Sequence, residues 1–157
     1  MQFFKKERDI FAVMDGRAVA LSEVPDEAFA SGILGVGFAI EPSAGTVYAP
    51  LSGKVESITQ TKHAYSILSD DGLDMLVHIG IDTVTLGGEG FFAMVREGDH
   101  VEAGEALARV DLDLLRARGL STVTPVLVTN PDLLSAHRIS LGDTVGGKTV
   151  SMRYRIR

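Results

Sequence analysis

The chain contains no cysteine, which excludes disulfides, thiolate metal ligands, iron–sulfur clusters and a cysteine nucleophile. Tryptophan is also absent and aromatic residues make up only 6%, so the core must be built mainly from aliphatic side chains. No apolar run approaches the roughly 20 residues of a membrane-spanning helix, and the longest, 33–40, has the length of one strand. The opening Met-Gln-Phe-Phe-Lys-Lys-Glu-Arg is charged, with no apolar stretch of signal-peptide length behind it. Stable membrane insertion is therefore not expected, and the expected location is cytoplasmic. A brush of Phe3, Phe4, Lys5 and Lys6 against an anionic surface is the lesser reading beside a flexible lead. Basic residues are the minority, 15 against 21 acidic ones, for a net charge of −6. Phosphate backbones demand a concentrated basic patch, so nucleic acid is excluded as the main partner.

What is present fits one domain: 157 residues, 45% of them hydrophobic. The expected division is a flexible N-terminal segment over 1–16 and a single domain over 17–157. Short runs rich in Val, Ile and Leu lie at 17–20, 33–40, 46–49, 54–58, 64–68, 74–80, 91–95, 107–110, 126–128 and 148–154, separated by Gly, Pro, Asp and Ser. Closely spaced short strands with 17 glycines in the chain predict an all-β fold, an antiparallel sandwich or barrel-like structure with a few short helices. One helix is expected with Pro25 at its first position, Asp26 and Glu27 at its positive end and Gly32 as its stop; another is expected over 112–118, capped by Asp111 with Gly119 just beyond. A weak internal echo relates Gly98-Asp99-x-Val101-x-x-Gly104 to Gly142-Asp143-x-Val145-x-Gly147, 44 residues on, and Tyr48-Ala49-Pro50 resembles Val123-Thr124-Pro125. Two similar turns or a duplicated β-structure both account for it.

The most informative stretch is 61–83. Asp71-Gly72 between two apolar runs signals a tight hairpin. With a two-residue loop, His78 falls opposite Tyr65 and His63 opposite Gly80, and alternation puts 61, 63, 65 and 67 on the face of 76, 78, 80 and 82. The two histidines become diagonal neighbours, roughly 7–8 Å apart at the backbone. Met75, Val77, Ile79 and Ile81 form the core stripe behind them, and Gly80 leaves space beside His63. A three-residue loop without a compensating bulge would instead put the histidines on opposite faces. His100 and His137 are expected on the surface.

Without cysteine, two chemistries suit this pair. His63, His78 and Asp82 form one possible metal-ligand set. Alternatively a neutral imidazole takes a phosphoryl group on one ring nitrogen, while the other is held by an acceptor that fixes the tautomer. A second histidine and a hydroxyl then donate to the phosphoryl oxygens. The residues alone leave both open.

The stretches Ala49-Pro50-Leu-Ser-Gly53-Lys-Val55, Thr61-Lys-His63-Ala-Tyr65-Ser-Ile67, Val77-His78-Ile-Gly80-Ile-Asp82-Thr83-Val84, Gly88-Glu89-Gly90-Phe91 and Ser121-Thr-Val-Thr124-Pro125-Val126 resemble, in order, the glucose-type enzyme IIA family of the bacterial sugar phosphotransferase system. The resemblance covers about 19–154 and implies a duplicated β-sandwich that acts as a phosphocarrier. It implies that His78 takes phosphoryl on Nε2 from the histidine-containing phosphocarrier protein and passes it to a cysteine of a IIB component of a membrane permease (IIBC). It assigns His63 to support of the phosphoryl group, Thr61 to the hydroxyl relay, and the Gly80 carbonyl to orienting the active ring. No cofactor and no metal is implied. Asp82 and Asp26 are expected to meet basic residues of an incoming carrier, and Phe29 and Leu76 to belong to the apolar docking rim. Many relatives carry an aromatic residue where this chain has Thr59, and often another at Leu76, so the rim is expected to be thin. Since the chain has no cysteine, the IIB and IIC parts are expected on another polypeptide.

Two other classes compete. The motifs at 49–55 and 97–104 resemble biotinyl or lipoyl carrier domains, but the hairpin tip Ser69-Asp70-Asp71-Gly72 lacks the lysine such a carrier needs. A zinc peptidase-like β-domain would want a second histidine two residues from a ligand, where Leu76 and Gly80 stand.

Overall fold

Apolar runs cut by Gly, Pro and Asp become fourteen short strands in the computed structural model, which describes residues 6–157. In chain order these are β1 (Arg8–Phe11), β2 (Gly16–Ala20), β3 (Val36–Pro42), β4 (Thr46–Tyr48), β5 (Gly53–Ile58), β6 (Ala64–Ser69), β7 (Asp74–His78), β8 (Phe91–Ala93), β9 (His100–Val101), β10 (Ala106–Val110), β11 (Thr124–Val128), β12 (Leu134–Ile139), β13 (Gly142–Thr144) and β14 (Val150–Ile156). Two short helices, α1 (Glu27–Ala30) and α2 (Leu112–Ala117), interrupt them. The Asp26 side chain accepts the Ala28 N–H at 2.9 Å to start α1, and Asp111 accepts the Leu114 N–H at 3.1 Å to start α2, as capping carboxylates do.

The pairings are antiparallel. The main sheet runs β13-β2-β3-β11-β7-β6-β5-β9, with three-stranded sheets β1-β14-β12 and β4-β10-β8 beside it. The all-β antiparallel class read from the sequence is the class observed. One aliphatic core joins all three sheets, with Ile10 and Met152, Val47 and Leu107, and Phe38, Val77 and Val126 among its members. Strand alternation sends every second residue of the main sheet to its other face. There Ala39 of β3 and Leu127 of β11 meet Val19, Val24, Phe29, Ile81 and Val123, with Leu76 packed against them. This second cluster seats α1 over the main sheet close to the end of β7.

The expected flexible lead is different where it is described. Residues 8–11 form β1 against β14, and Ile10, Ala12, Val13 and Met14 are fully buried. Phe3, Phe4 and Lys5 lie outside the described residues. Strands β12 and β13 were also not expected: only the first residue of β12 is buried, so its sequence carries no alternating apolar signal. His137, expected on the surface, sits on the exposed strand β12, and the exposed His100 begins β9. The echoed turns touch one another. The Gly104 N–H donates to Ala49 O at 2.9 Å and the Gly147 N–H to Ala12 O at 2.8 Å, and a Cβ on Gly104 would lie 3.1 Å from Gly147 O.

Candidate functional site

The β6–β7 hairpin is one residue out of the expected register. Ala64 lies opposite His78, Tyr65 opposite Val77 and Leu68 opposite Asp74. The loop holds three residues, because Ser69 and Asp71 lock it from within. The Ser69 N–H reaches Leu73 O at 2.8 Å, its hydroxyl accepts the Leu73 N–H at 2.8 Å and donates to Asp71, and Gly72 takes φ 96°. Tyr154 of β14 donates to the other Asp71 oxygen at 2.6 Å. A one-residue slip flips every side chain. Tyr65 and Ile67 thus join Met75 and Val77 in the main core, and do not share the face of Leu76 and His78. Ile81, expected in the same stripe, crosses to the second cluster.

His63 nonetheless meets His78, because the regular strand begins only at Ala64. Lys62 adopts a left-handed φ of 62° and releases the chain from sheet alternation. The His63 carbonyl still accepts the Ile79 N–H at 2.7 Å. Its ring packs edge-on to His78, centroids 5.0 Å apart at 79°, and against Phe91 at 6.4 Å. Only 6% of His63 is exposed. Thr61 Oγ1 lies 2.6 Å from its Nδ1, and Thr59 Oγ1 accepts the N–H groups of His63 and Ala64, each at 3.1 Å.

The His78 ring is fixed from the opposite side. Its Nδ1 is 2.7 Å from Gly80 O. A carbonyl can only accept, so Nδ1 carries the proton and Nε2 keeps the lone pair. Gly80 is required twice over: it takes φ 75°, and a Cβ there would stand 2.5 Å from Thr83 Cγ2 and 3.0 Å from Ser121 O. Thr83, fully buried, donates to Ile79 O at 2.7 Å, and the Ile81 N–H reaches Ser121 O at 3.1 Å. The Phe29 ring from α1 covers His78 at 5.1 Å and 57°. Leu76, two residues back on the same face, packs into the cluster around Phe29.

Burial holds both imidazoles below their ordinary pKa of 6.5, and for His63 the neighbouring His78 adds to the effect. For His78, burial outweighs the Gly80 hydrogen bond and the carboxylates of Asp26 and Asp82, which all favour the cation. Asp82 is exposed at a left-handed φ of 60° and Asp26 is half-buried as the α1 cap. Thr61, His63, His78, Gly80 and Phe29 are thus brought together, with the two acids at the rim. Among the described residues no group of three His, Asp or Glu is placed to hold a metal ion. The polar cleft of about 320 Å³ lined by Arg8, Asp70, Asp71 and Tyr154 lies at the hairpin tip, the far end from the histidines. Thr59 and Phe91 are the neighbours of His63 that the hairpin reading missed. Thr59 was visible only as a residue standing where many relatives have an aromatic ring.

Comparison with known proteins places this arrangement among the components of a sugar phosphotransferase system. Residues 8–134 match the family model of the phosphoenolpyruvate-dependent sugar phosphotransferase system, EIIA 1, and the chain belongs to that family. It is 41% identical over 153 residues to the glucose-specific EIIA component of Halalkalibacterium halodurans, covering 97% of this chain and 88% of that one. It is 44% identical over 148 residues to the glucose-specific EIICBA component of Streptococcus pneumoniae serotype 4, covering 94% of this chain. With the beta-glucoside-specific EIIBCA component of Bacillus subtilis it shares 48% over 126 residues, 80% of this chain. The chain spans only 20% and 21% of the length of the last two relatives. The solved glucose permease IIA from Mycoplasma capricolum superposes with a TM-score of 0.87 at 37% identity, covering 97% of this chain and 99% of that one. Both the family and the fold expected from the sequence motifs are therefore shown, and with them a phosphotransferase role in sugar transport. No helix among the described residues is long and apolar enough to cross a membrane.

Proposed function

We propose that the protein carries a phosphoryl group on Nε2 of His78, received from the histidine-containing phosphocarrier protein and delivered to a cysteine of a IIB component during sugar uptake. The observation that carries this reading is the 2.7 Å contact of Nδ1 with Gly80 O, which leaves the Nε2 lone pair as the ring's nucleophile.

In the first transfer, that lone pair attacks the phosphorus of the donor's phosphohistidine. The P–N bond to the donor breaks and its electron pair stays on the donor imidazole. Nε2 loses no proton, because the ring's proton sits on Nδ1 throughout. Positive charge developing in the His78 ring is stabilised by the Gly80 carbonyl and, from further away, by Asp26 and Asp82. His63, 5.0 Å away between ring centroids, supports the phosphoryl oxygens, with Thr61 holding its Nδ1. In the second transfer a thiolate attacks phosphorus, the P–Nε2 bond breaks, and neutral His78 returns. The thiolate comes from the partner, since this chain has no cysteine.

Phosphoryl transfer of this kind demands positioning and moderate charge stabilisation. Residues 61–83 include no arginine and Lys62 is exposed, so the phosphorylated state is not trapped by a cationic cage. The open face suits two successive protein partners. Asp26 and Asp82 offer charge to basic residues of a carrier, and Phe29 and Leu76 pack in the apolar cluster beside His78. Ile33, Leu34 and Val84, exposed by 80%, 41% and 57%, follow α1 and Asp82 and widen the apolar rim.

The test is transfer of label from phosphoenolpyruvate through enzyme I and the phosphocarrier protein. Label is expected on the wild-type chain and absent from His78→Gln. Label that persists in His78→Gln overturns the assignment.

A further inference from the structure

We propose that Thr83 is a positioning residue for His78, its hydroxyl and its methyl together holding the Gly80 carbonyl against the ring. The consequence for phosphoryl transfer rests on the phosphocarrier reading; the contacts themselves do not.

The acceptor that fixes the His78 ring belongs to the residue least able to hold itself still. Glycine has no Cβ to restrict its dihedral angles, so the direction of the Gly80 carbonyl is set by the peptide planes on either side of it. The plane that follows carries the Gly80 C=O and the Ile81 N–H, which point opposite ways across a trans peptide. The Ile81 N–H donates to Ser121 O at 3.1 Å, and the Gly80 oxygen on the far edge lies 2.7 Å from His78 Nδ1. One of those two grips is the ring itself.

The plane that precedes carries the Ile79 C=O. Ile79 is fully buried and its N–H is committed to His63 O at 2.7 Å, so its carbonyl needs a donor of its own. Thr83, also fully buried, supplies it: Oγ1 donates to Ile79 O at 2.7 Å. No other hydrogen bond reaches Ile79 O among the described residues. Without the hydroxyl this buried oxygen is left unsatisfied. Turning the Ile79–Gly80 plane toward another donor relieves it, and the Gly80 carbonyl moves with that turn.

The other branch of the side chain does a different job. A Cβ built on Gly80 would stand 2.5 Å from Thr83 Cγ2. The threonine methyl thus fills the space a side chain at 80 would take, and closes it against rotation of a glycine held at φ 75°. Thr83 comes back over Ile79 and Gly80 because Asp82 takes a left-handed φ of 60°. Being fully buried, Thr83 is out of reach of a docking partner, and it acts on His78 through Gly80.

The experiment compares the full wild-type chain with Thr83→Val, which keeps the methyl, Thr83→Ser, which keeps the hydroxyl, and Thr83→Ala, which keeps neither. The first readout is single-turnover acceptance of phosphoryl from the phosphorylated carrier protein over a range of its concentrations. The second is exchange of the His78 ring N–H with solvent, followed by NMR in the ¹⁵N-imidazole-labelled chain with no phosphoryl donor present. Thr83→Val is expected to lower the maximal acceptance rate about tenfold, the equivalent of one hydrogen bond, with the half-saturating concentration unchanged. Its ring N–H is expected to exchange faster by about the same factor. Thr83→Ser is expected to keep both readouts near wild type and Thr83→Ala to follow Thr83→Val, so that serine against alanine reads the hydroxyl if the valine variant does not fold. A loss of stability with both readouts unchanged makes Thr83 structural only and overturns the proposal. So does a Thr83→Ser as impaired as Thr83→Ala, or a change confined to the half-saturating concentration. Absence of phosphorylation in the wild-type chain would defeat the phosphocarrier reading instead, and ring N–H exchange then still decides the positioning role.

Discussion

Replacing Gly80 by alanine tests the fold and the chemistry at one atom. The residue sits at φ 75°, a left-handed conformation that costs an L-residue about 1–2 kcal/mol. An added Cβ would stand 2.5 Å from Thr83 Cγ2, 3.0 Å from Ser121 O and 3.1 Å from Leu115 Cδ2. None of these can easily give way. Thr83 is held by its bond to Ile79 O, Ser121 O accepts the Ile81 N–H, and Leu115 is fully buried. Overpacking of this kind adds about 1–3 kcal/mol, so Gly80→Ala is expected to destabilise by about 2–5 kcal/mol. For a domain of this size each kcal/mol shifts melting by about 2–4 °C, which predicts a fall of about 4–20 °C. The same displacement moves the carbonyl that holds His78 Nδ1. Phosphoryl acceptance, measured well below the melting temperature, is expected to slow about tenfold as that hydrogen bond weakens. Melting followed by circular dichroism and labelled acceptance in the same preparation separate the two effects. A melting temperature within about 2 °C of wild type refutes the steric reasoning. Wild-type acceptance in a folded but destabilised Gly80→Ala refutes the role of the carbonyl.

His63→Gln is expected to keep acceptance of label on His78 while slowing transfer to a IIB component; complete loss of acceptance means the roles of the two histidines are reversed. Phe29→Ala removes a ring buried to 6% exposure over His78, with an expected loss of about 3 kcal/mol in urea unfolding. It also relieves the burial that depresses His78, so the ring's NMR titration moves up toward 6.5; an unmoved titration contradicts burial as the cause. The pH dependence of stability has a definite sign. Both site histidines titrate lower folded than unfolded, so as pH falls below 6.5 the unfolded chain takes up protons first. Their contribution is complete above pH 6.5 and is lost as pH falls through the depressed folded values. The urea midpoint of wild type is therefore expected to drop between pH 7.5 and 5.5 by more than that of the His63→Gln/His78→Gln double variant. An equal drop in both attributes the acid sensitivity to other groups.

The arrangement around His78 was legible in the chain because it depends on local spacing: His78, Gly80 and Asp82 lie within five residues, and so does the contact of Nδ1 with Gly80 O. The pairing of His78 with His63 was predicted correctly but for the wrong reason. Strand parity depends on loop length, and Asp71-Gly72 reads as a two-residue turn. The third residue enters because Ser69 and Asp71 bond one another and Tyr154 braces Asp71, and nothing near position 71 announces a partner 83 residues away. Parity then places His63 on the wrong side, and the Lys62 turn returns it. Strands β1 and β12 escaped notice for a different reason. Each is largely exposed and carries too few apolar positions for a period of two to appear.

The electrostatics of His78 follow from a balance that neither sequence motif shows by itself. Burial by Phe29 and the second apolar cluster favours the neutral ring, and neutrality is what a nucleophilic nitrogen needs. Asp26 and Asp82 press the other way, toward the cation, yet neither carboxylate bonds the ring; Asp26 is engaged with the Ala28 N–H and Asp82 faces solvent. Burial prevails, so the resting ring favours its neutral form, which on the proposed reading is the form that accepts. Once phosphorylated, the ring is cationic and its phosphoryl group anionic. The carbonyl and the acids then stabilise the ring, while the same acids repel the phosphoryl group. A site with arginines in place of these acids would hold phosphoryl tightly and release it slowly. With acids at the rim and an imidazole as the nearest partner, the phosphorylated form is neither strongly trapped nor strongly expelled. On the proposed reading, such a balance suits a single histidine that serves as acceptor in one encounter and donor in the next.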